Sequence, residues 1–129
     1  MIADFLSQLK NAVMAKNKFF ELPYSKLSES VATALKDCGF IETVKVFKTT
    51  GEPFKRLHID IAFDETGNPV MTNLKIVSKP SLKQYIKHKD IKKIRNGVGA
   101  QIISTPRGIL TGQEARKKSL GGEVICEVY

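Results

Sequence analysis

Tryptophan is absent, cysteine and histidine occur twice each, and aromatic residues make up only 8% of the 129-residue chain. The two cysteines, Cys38 and Cys126, have neither CxxC spacing nor a neighbouring histidine pair, which argues against a zinc site or a redox dithiol. Both fall within apolar patterns and are expected as reduced core residues. No apolar run approaches the ~20 residues that a bilayer-spanning helix needs. The N-terminus carries Asp4 and no basic stretch, unlike a signal peptide. An intracellular, water-soluble chain that binds no membrane is the expectation. Phosphate-loop chemistry is missing too, because Gly97-Val98-Gly99 lacks the wider glycine spacing and the Lys-Ser/Thr pair. His58 and Asp60 share the polar face of one strand pattern, yet no nucleophile or second histidine accompanies them. A solvated strand face is the better reading than an acid-base pair. Neither catalysis nor a cofactor or metal is expected.

Acid is scarce in one half only. Residues 1–66 hold nine Lys/Arg and nine Asp/Glu, whereas residues 67–129 hold twelve against four, so the second half supplies the whole net charge of +8. One-sided charge of this kind is the footprint of a polyanion-binding surface.

The hydrophobic pattern gives an α+β chain of two small α/β domains, 1–66 and 67–129. Ile2, Phe5, Leu6, Leu9 and Val13 recur at helical spacing, predicting a first helix from Ile2 to about Lys16. Its Lys10 and Asn11 are candidates for an RNA-facing side or an ordinary solvated one. Phe19 to Leu22 reads as a strand stopped by Pro23. Ser25 is placed to cap a second helix with Leu27, Val31, Leu35 and Cys38 as its stripe and Gly39 as its stop. Ile41 to Lys48 and Leu57 to Phe63 read as strands. Asp64-Glu65-Thr66-Gly67-Asn68-Pro69 is the most turn-rich stretch and sets the boundary. Beyond it, Val70 to Ile76 alternates as a strand, Ala100 to Ile103 as another, and Thr111-Gly112-Gln113-Glu114 matches a capping box for a short helix. Gly121-Gly122 ends that helix, and Glu123 to Tyr129 closes as a strand with Val124, Cys126 and Val128 on one face.

Two stretches of the basic half carry candidate chemistry. Ser78 to Arg95 interleaves Lys79, Lys83, Lys87, Lys89, Lys92, Lys93 and Arg95 with Pro80, Tyr85, Ile86, Ile91 and Ile94. Anchored cations of this kind suit phosphate contact, and Tyr85 is open to two readings, a base-stacking ring or a core residue. Ser104-Thr105-Pro106-Arg107-Gly108 forms a polar loop between the 100–103 strand and the helix from Thr111. Ser and Thr hydroxyls donate or accept, Arg107 can bind phosphate or stack, and Gly108 permits close backbone approach. The same five residues also make an acceptable strand-to-helix turn.

Val98-Gly99-Ala100-Gln101-Ile102-Ile103-Ser104-Thr105-Pro106-Arg107-Gly108-Ile109-Leu110-Thr111, followed by Glu114-Ala115-Arg116 and Gly121-Gly122-Glu123-Val124, closely resembles the C-terminal signature of the bacterial small-subunit ribosomal protein S-eight family. Upstream, Ile2-Ala3-Asp4, Lys10-Asn11, Pro23-Tyr24-Ser25-Lys26-Leu27, Gly39-Phe40-Ile41 and Val77-Ser78-Lys79-Pro80 fall in that family's order. The resemblance implies two small α/β domains and a primary binder of a bulged hairpin in the central domain of small-subunit ribosomal RNA, supporting subunit assembly. It implies location in the cytoplasmic small subunit, with an organellar ribosome also open. Its partners would be that RNA, neighbouring small-subunit proteins and, for some family members, their own messenger RNA. Carried over by position, the RNA-binding residues are Ser104, Thr105, Arg107, Gly108, Gly122, Glu123, Lys79, Pro80, Lys83 and Tyr85; Pro106 within the same loop, Lys87 of the basic run, and Lys10 and Asn11 complete the expected RNA-binding set. Pro106 stands where the family usually has a second serine, and it biases Thr105 towards extended geometry. An RNA-processing enzyme would need a nucleotide fingerprint, a metal cluster or a nucleophile-base pair, none of which the sequence offers. A free-standing RNA-binding regulator of translation is the remaining alternative.

Overall fold

The computed structural model describes residues 2–79, 81–92 and 99–129. Pro80, Lys93 and Arg95 therefore lie outside the described residues. Among those described, the chain is α+β, with three α-helices and two antiparallel sheets. It divides into two compact units, Met1–Met71 and Thr72–Tyr129. The boundary expected at residue 66 differs by five uncharged residues, so the charge contrast between the halves is the same for either division.

In the first unit α1 (Ile2–Met14) buries Phe5, Leu6, Leu9, Ala12 and Val13 along one stripe, as an amphipathic helix must. It ends two residues earlier than its periodicity suggests, where Lys16 takes φ 57°. After β1 (Phe19–Pro23), α2 (Lys26–Asp37) starts at Ser25, whose hydroxyl accepts a hydrogen bond from the Ser28 N–H at 3.1 Å. Leu27, expected in the buried stripe, is exposed, and Ser28 is buried instead because its hydroxyl bonds that of Ser25. β2 (Ile41–Lys48) and β3 (Lys55–Ile61) complete a sheet of order β1-β3-β2. Leu57, Ile59 and Ile61 point into the core and are fully buried, each contributing roughly 1.5–3 kcal/mol.

The other face of β3 carries Arg56, His58 and Asp60. His58 sits between two carboxylates, Nδ1 at 2.7 Å from Glu21 and Nε2 at 3.0 Å from Asp60, with the Phe19 ring stacked 4.9 Å from its own. The hydrogen bond to Glu21, then that to Asp60, raises its pKa above the ordinary value, with partial burial opposing. A raised folded-state pKa stabilises the fold fully below the unfolded value of about 6.5 and ceases to do so as pH rises through the folded value. Stability measured by urea unfolding should therefore decline from about pH 6.5 upward, and His58→Gln should flatten that decline. A slope unchanged in the variant would show that the pair of carboxylates does not hold the imidazolium.

The second unit is a sheet of order β4-β8-β6-β7, with β5 also paired to β8. β4 spans only Leu74–Ile76. Val70 and Thr72, expected in that strand, spend their N–H groups elsewhere, on the carbonyls of Ala62 and Tyr129. β5 is Tyr85–Ile86, followed by a 3-10 turn at His88–Asp90; β6 (Ala100–Thr105), β7 (Gly108–Thr111), α3 (Gly112–Lys117) and β8 (Gly122–Val128) complete the unit. The capping box is present: Thr111 accepts from the Glu114 N–H, and Glu114 accepts from the Thr111 N–H.

A bulge interrupts the β6–β8 ladder. Ile102 pairs with Cys126, but Ile103 pairs with Val124, leaving Ile125 extra. Adjacent residues of β6 point to opposite faces, so Val124 and Cys126 also lie on opposite faces, contrary to the expected common face. Alternation restarts across the bulge. On one side Ile103, Val124 and Leu110 form a core with Ile91 and Ala115, packed by Val77, Ile86 and Leu120. Cys126 is buried whereas Cys38 is half-buried, and no disulfide joins them.

Candidate nucleic-acid interface

The loop expected at residues 104–108 is a β-hairpin. β6 continues through Ser104 and Thr105, and β7 begins at Gly108, with Thr105 paired to Gly108 and Ser104 to Ile109. Only Pro106 and Arg107 remain at the tip. Among the described non-glycine residues positive φ is confined to Lys16 and Ser119, whereas Gly108 has φ +107°. Arg107 therefore has negative φ, which rules out the primed turns and type II, and Gly108 closes the turn. Proline suits the first turn position. The Thr105 hydroxyl ties the turn together: it donates to the Gly108 carbonyl at 2.8 Å and accepts from the Arg107 N–H at 3.2 Å. The ring of Pro106, the Arg107 side chain and Gly108 stay exposed.

Two glycines bring the neighbouring strands against the hairpin base. A side chain at Gly122 would run into the Ser104 carbonyl oxygen and approach the Ser104 carbonyl carbon to 2.8 Å. At Gly121 it would meet the Ile86 carbonyl oxygen and come within 3.1 Å of the Lys87 Cα. This pair does not stop α3, which ends at Lys117, is capped at Lys118 and turns at Ser119 with φ 57°. It fixes β8 tightly between β5 and β6.

The consequence is a lateral row. Tyr85 pairs with Glu123, Glu123 with Ser104, and Ser104 with Ile109, and directly opposed residues share a face. Tyr85 is 71% exposed, which removes the core reading and leaves its ring available for stacking. Glu123 and Ser104 are half-buried beside it. The Ser104 hydroxyl makes no hydrogen bond among the described residues. A compact loop precedes β5: the Gln84 N–H donates to the Ser78 hydroxyl at 2.9 Å, Lys79 and Leu82 exchange backbone hydrogen bonds of 3.0 Å, and the Val124 N–H donates to the Gln84 carbonyl at 2.8 Å. Lys79, Lys83 and Lys87 project from this segment, all exposed, and none of them forms an ion pair among the described residues.

The structure thus brings together Tyr85, Glu123, Ser104, Gly122 and the hairpin tip. Lys10 and Asn11 are in the other unit, on α1, half-buried and exposed respectively. Pro80 lies outside the described residues. Reading the sequence missed Ser78, whose hydroxyl shapes the lysine-bearing loop, and Ile109, the fourth member of the row. No sequence signal marks Ile109, because its face depends on the hairpin register. Among the described residues there is no group of three or more His, Cys, Asp and Glu that could hold a metal ion, and no helix is long and apolar enough to cross a membrane.

Comparison with known proteins adds a family pattern over the whole chain. The family model for ribosomal protein S8 matches residues 1–129. A protein of Streptococcus agalactiae serotype V named small ribosomal subunit protein uS8 is 41% identical over 128 residues, covering 99% of this chain and 96% of its own. The proteins of that name from Streptococcus uberis and Streptococcus thermophilus are 42% and 43% identical over the same shares.

Proposed function

The chain belongs to the ribosomal protein S8 family, and from that premise we propose that it is a structural, non-enzymatic constituent of the small ribosomal subunit. It binds a bulged hairpin in the central domain of the 16S-type ribosomal RNA and supports subunit assembly beside neighbouring small-subunit proteins. The observation that carries the RNA reading is the row Tyr85-Glu123-Ser104 at the base of the 105–108 hairpin, flanked by exposed cations at Lys79, Lys83, Lys87 and Arg107. Regular A-form helices hide their base edges, whereas bulges expose bases and 2′-hydroxyls. Tyr85 supplies a stacking surface, Ser104 a hydroxyl free to donate or accept, and Glu123 an acceptor for an amino group. The lysines hold phosphate without reading sequence. Gly121 and Gly122 serve by close packing, and Lys10 and Asn11 contribute a contact from the first unit.

Sedimentation tests the assignment. The protein should travel with small subunits in high salt, and recovery solely as a free monomer would sink it in favour of a free-standing regulator. Lysine variants test the division of labour. Lys83→Ala and Lys87→Ala should weaken a bulged hairpin and a fully paired control alike, and each should flatten the salt dependence by about 0.9 in log-log slope. An unchanged slope would assign those lysines to the solvated surface alone.

A further inference from the structure

We propose that the C-terminal unit carries a second site, for an unpaired nucleotide of a single-stranded RNA, in the cleft between α3 and the residues Ile91 and Lys92. The cleft has a volume of about 410 Å³ and is lined by Ile91, Lys92, Gly112, Gln113, Arg116 and Lys117. Three of these six are cations and none is an acid. Asp90 is exposed on the adjoining turn, and the Glu127 carboxylate accepts from the Gln101 amide at 3.1 Å. Glu114, the acid of α3, is committed to Thr111, whose N–H and hydroxyl it accepts at 3.2 and 3.1 Å. Arg116 is steadied by one long hydrogen bond, Nη1 to the Ile91 carbonyl at 3.5 Å, and its other donors make no hydrogen bond among the described residues.

The floor is apolar and close. A side chain at Gly112 would come within 3.1 Å of Ile91 Cγ2 and 3.5 Å of Gln101 Cβ, so glycine lets both residues close the floor against the helix backbone. Beside it is the amide oxygen of Gln101, a buried acceptor without a hydrogen-bond partner among the described residues. Phosphate on the cations and a base against Ile91 account for the charged and the apolar lining together.

This cleft is not a continuation of the hairpin row. Ile91 of its wall packs in one core cluster with Ile103, Val124 and Ala115 of α3, whereas Ser104 and Glu123 adjoin Ile103 and Val124 along their strands and face the other side of the sheet. Two faces of one small sheet would then each hold RNA.

The test is a titration of the full-length protein with fluorescent octaadenylate, read by anisotropy and by amide chemical shifts. Saturable shifts should centre on Ile91, Lys92, Gly112 and Gln113, and free AMP should reproduce them. Shifts confined to Tyr85 and Ser104 to Gly108 would overturn the site. So would equal shifts from inorganic phosphate or polyglutamate, since either would mean a bare anion patch. Lys92→Glu combined with Lys117→Glu, both exposed and safe for folding, should weaken octaadenylate about tenfold and flatten its salt slope by about 1.4. Arg116→Lys should restore part of the binding that Arg116→Gln loses. Discrimination between bulged and paired hairpins should be unchanged in these variants. Loss of that discrimination in the wild-type protein would count against the ribosomal RNA reading and leave this site to the octaadenylate result.

Discussion

Gly122→Ala is expected to lower the unfolding free energy by about 3 kcal/mol, the upper range for an overpacked site. The added methyl would collide with the Ser104 carbonyl, which is backbone and cannot swing away. Either β6 or β8 must move, and both carry buried ladder hydrogen bonds and the core residues Ile103 and Val124. The informative contrast is Gly108→Ala. There the new methyl meets nothing within 4 Å, but the backbone stands at φ +107°, so only conformational strain is paid, about 1 kcal/mol. Urea unfolding of the two variants side by side decides the matter. Equal midpoints would mean that the strand contact at Gly122 is not what demands glycine. Gly122→Ala should also weaken the bulged hairpin, because Ser104 moves with its carbonyl.

Thr105→Ala has the largest expected effect on recognition. It should reduce the preference for a bulged hairpin over a fully paired control by about 1–3 kcal/mol, the range for a base-reading contact. Two internal hydrogen bonds are lost with the hydroxyl, one to the Gly108 carbonyl and one from the Arg107 N–H, so the turn that presents Arg107 loosens. Gly108→Val should act in the same direction by a different route, since a branched side chain at φ +107° resists the turn. Competition binding with the two RNAs at fixed salt measures both. A loss that is equal on the two RNAs would assign these residues to general affinity.

The helices were legible because their signals are local. The stripe of α1, the Ser25 cap and the Thr111-Glu114 capping box each depend on residues within one or two turns. β7 was not legible. Gly108 to Thr111 is four residues long and merges with the approach to α3, so nothing in the string separates a strand from a loop. The bulge at Ile125 leaves no mark either, because Val124, Ile125 and Cys126 are all apolar and all buried. Gly122 looks like a helix stop in the sequence, but its demand for space is set by Ser104, eighteen positions earlier and in another strand. Tyr85 shows the same limit: its neighbours allow a core ring or an exposed one, and only pairing with Glu123 decides. The Pro106-Arg107 turn lies within the expected loop, but Ser104, Thr105 and Gly108 belong to the strands of a hairpin.

The internal bonding of Thr105 makes its hydroxyl directional towards any RNA. Its single proton is occupied by the Gly108 carbonyl, and one lone pair faces the Arg107 N–H. What remains is acceptor capacity alone. A phosphate oxygen, itself only an acceptor, is refused at this atom, whereas a ribose 2′-hydroxyl or an exocyclic amine is admitted. Ser104, next along the strand, keeps its proton and accepts either polarity. Two consecutive residues of β6, on opposite faces of the strand, thus offer different polarities: Thr105 acceptor capacity alone, Ser104 donor and acceptor both.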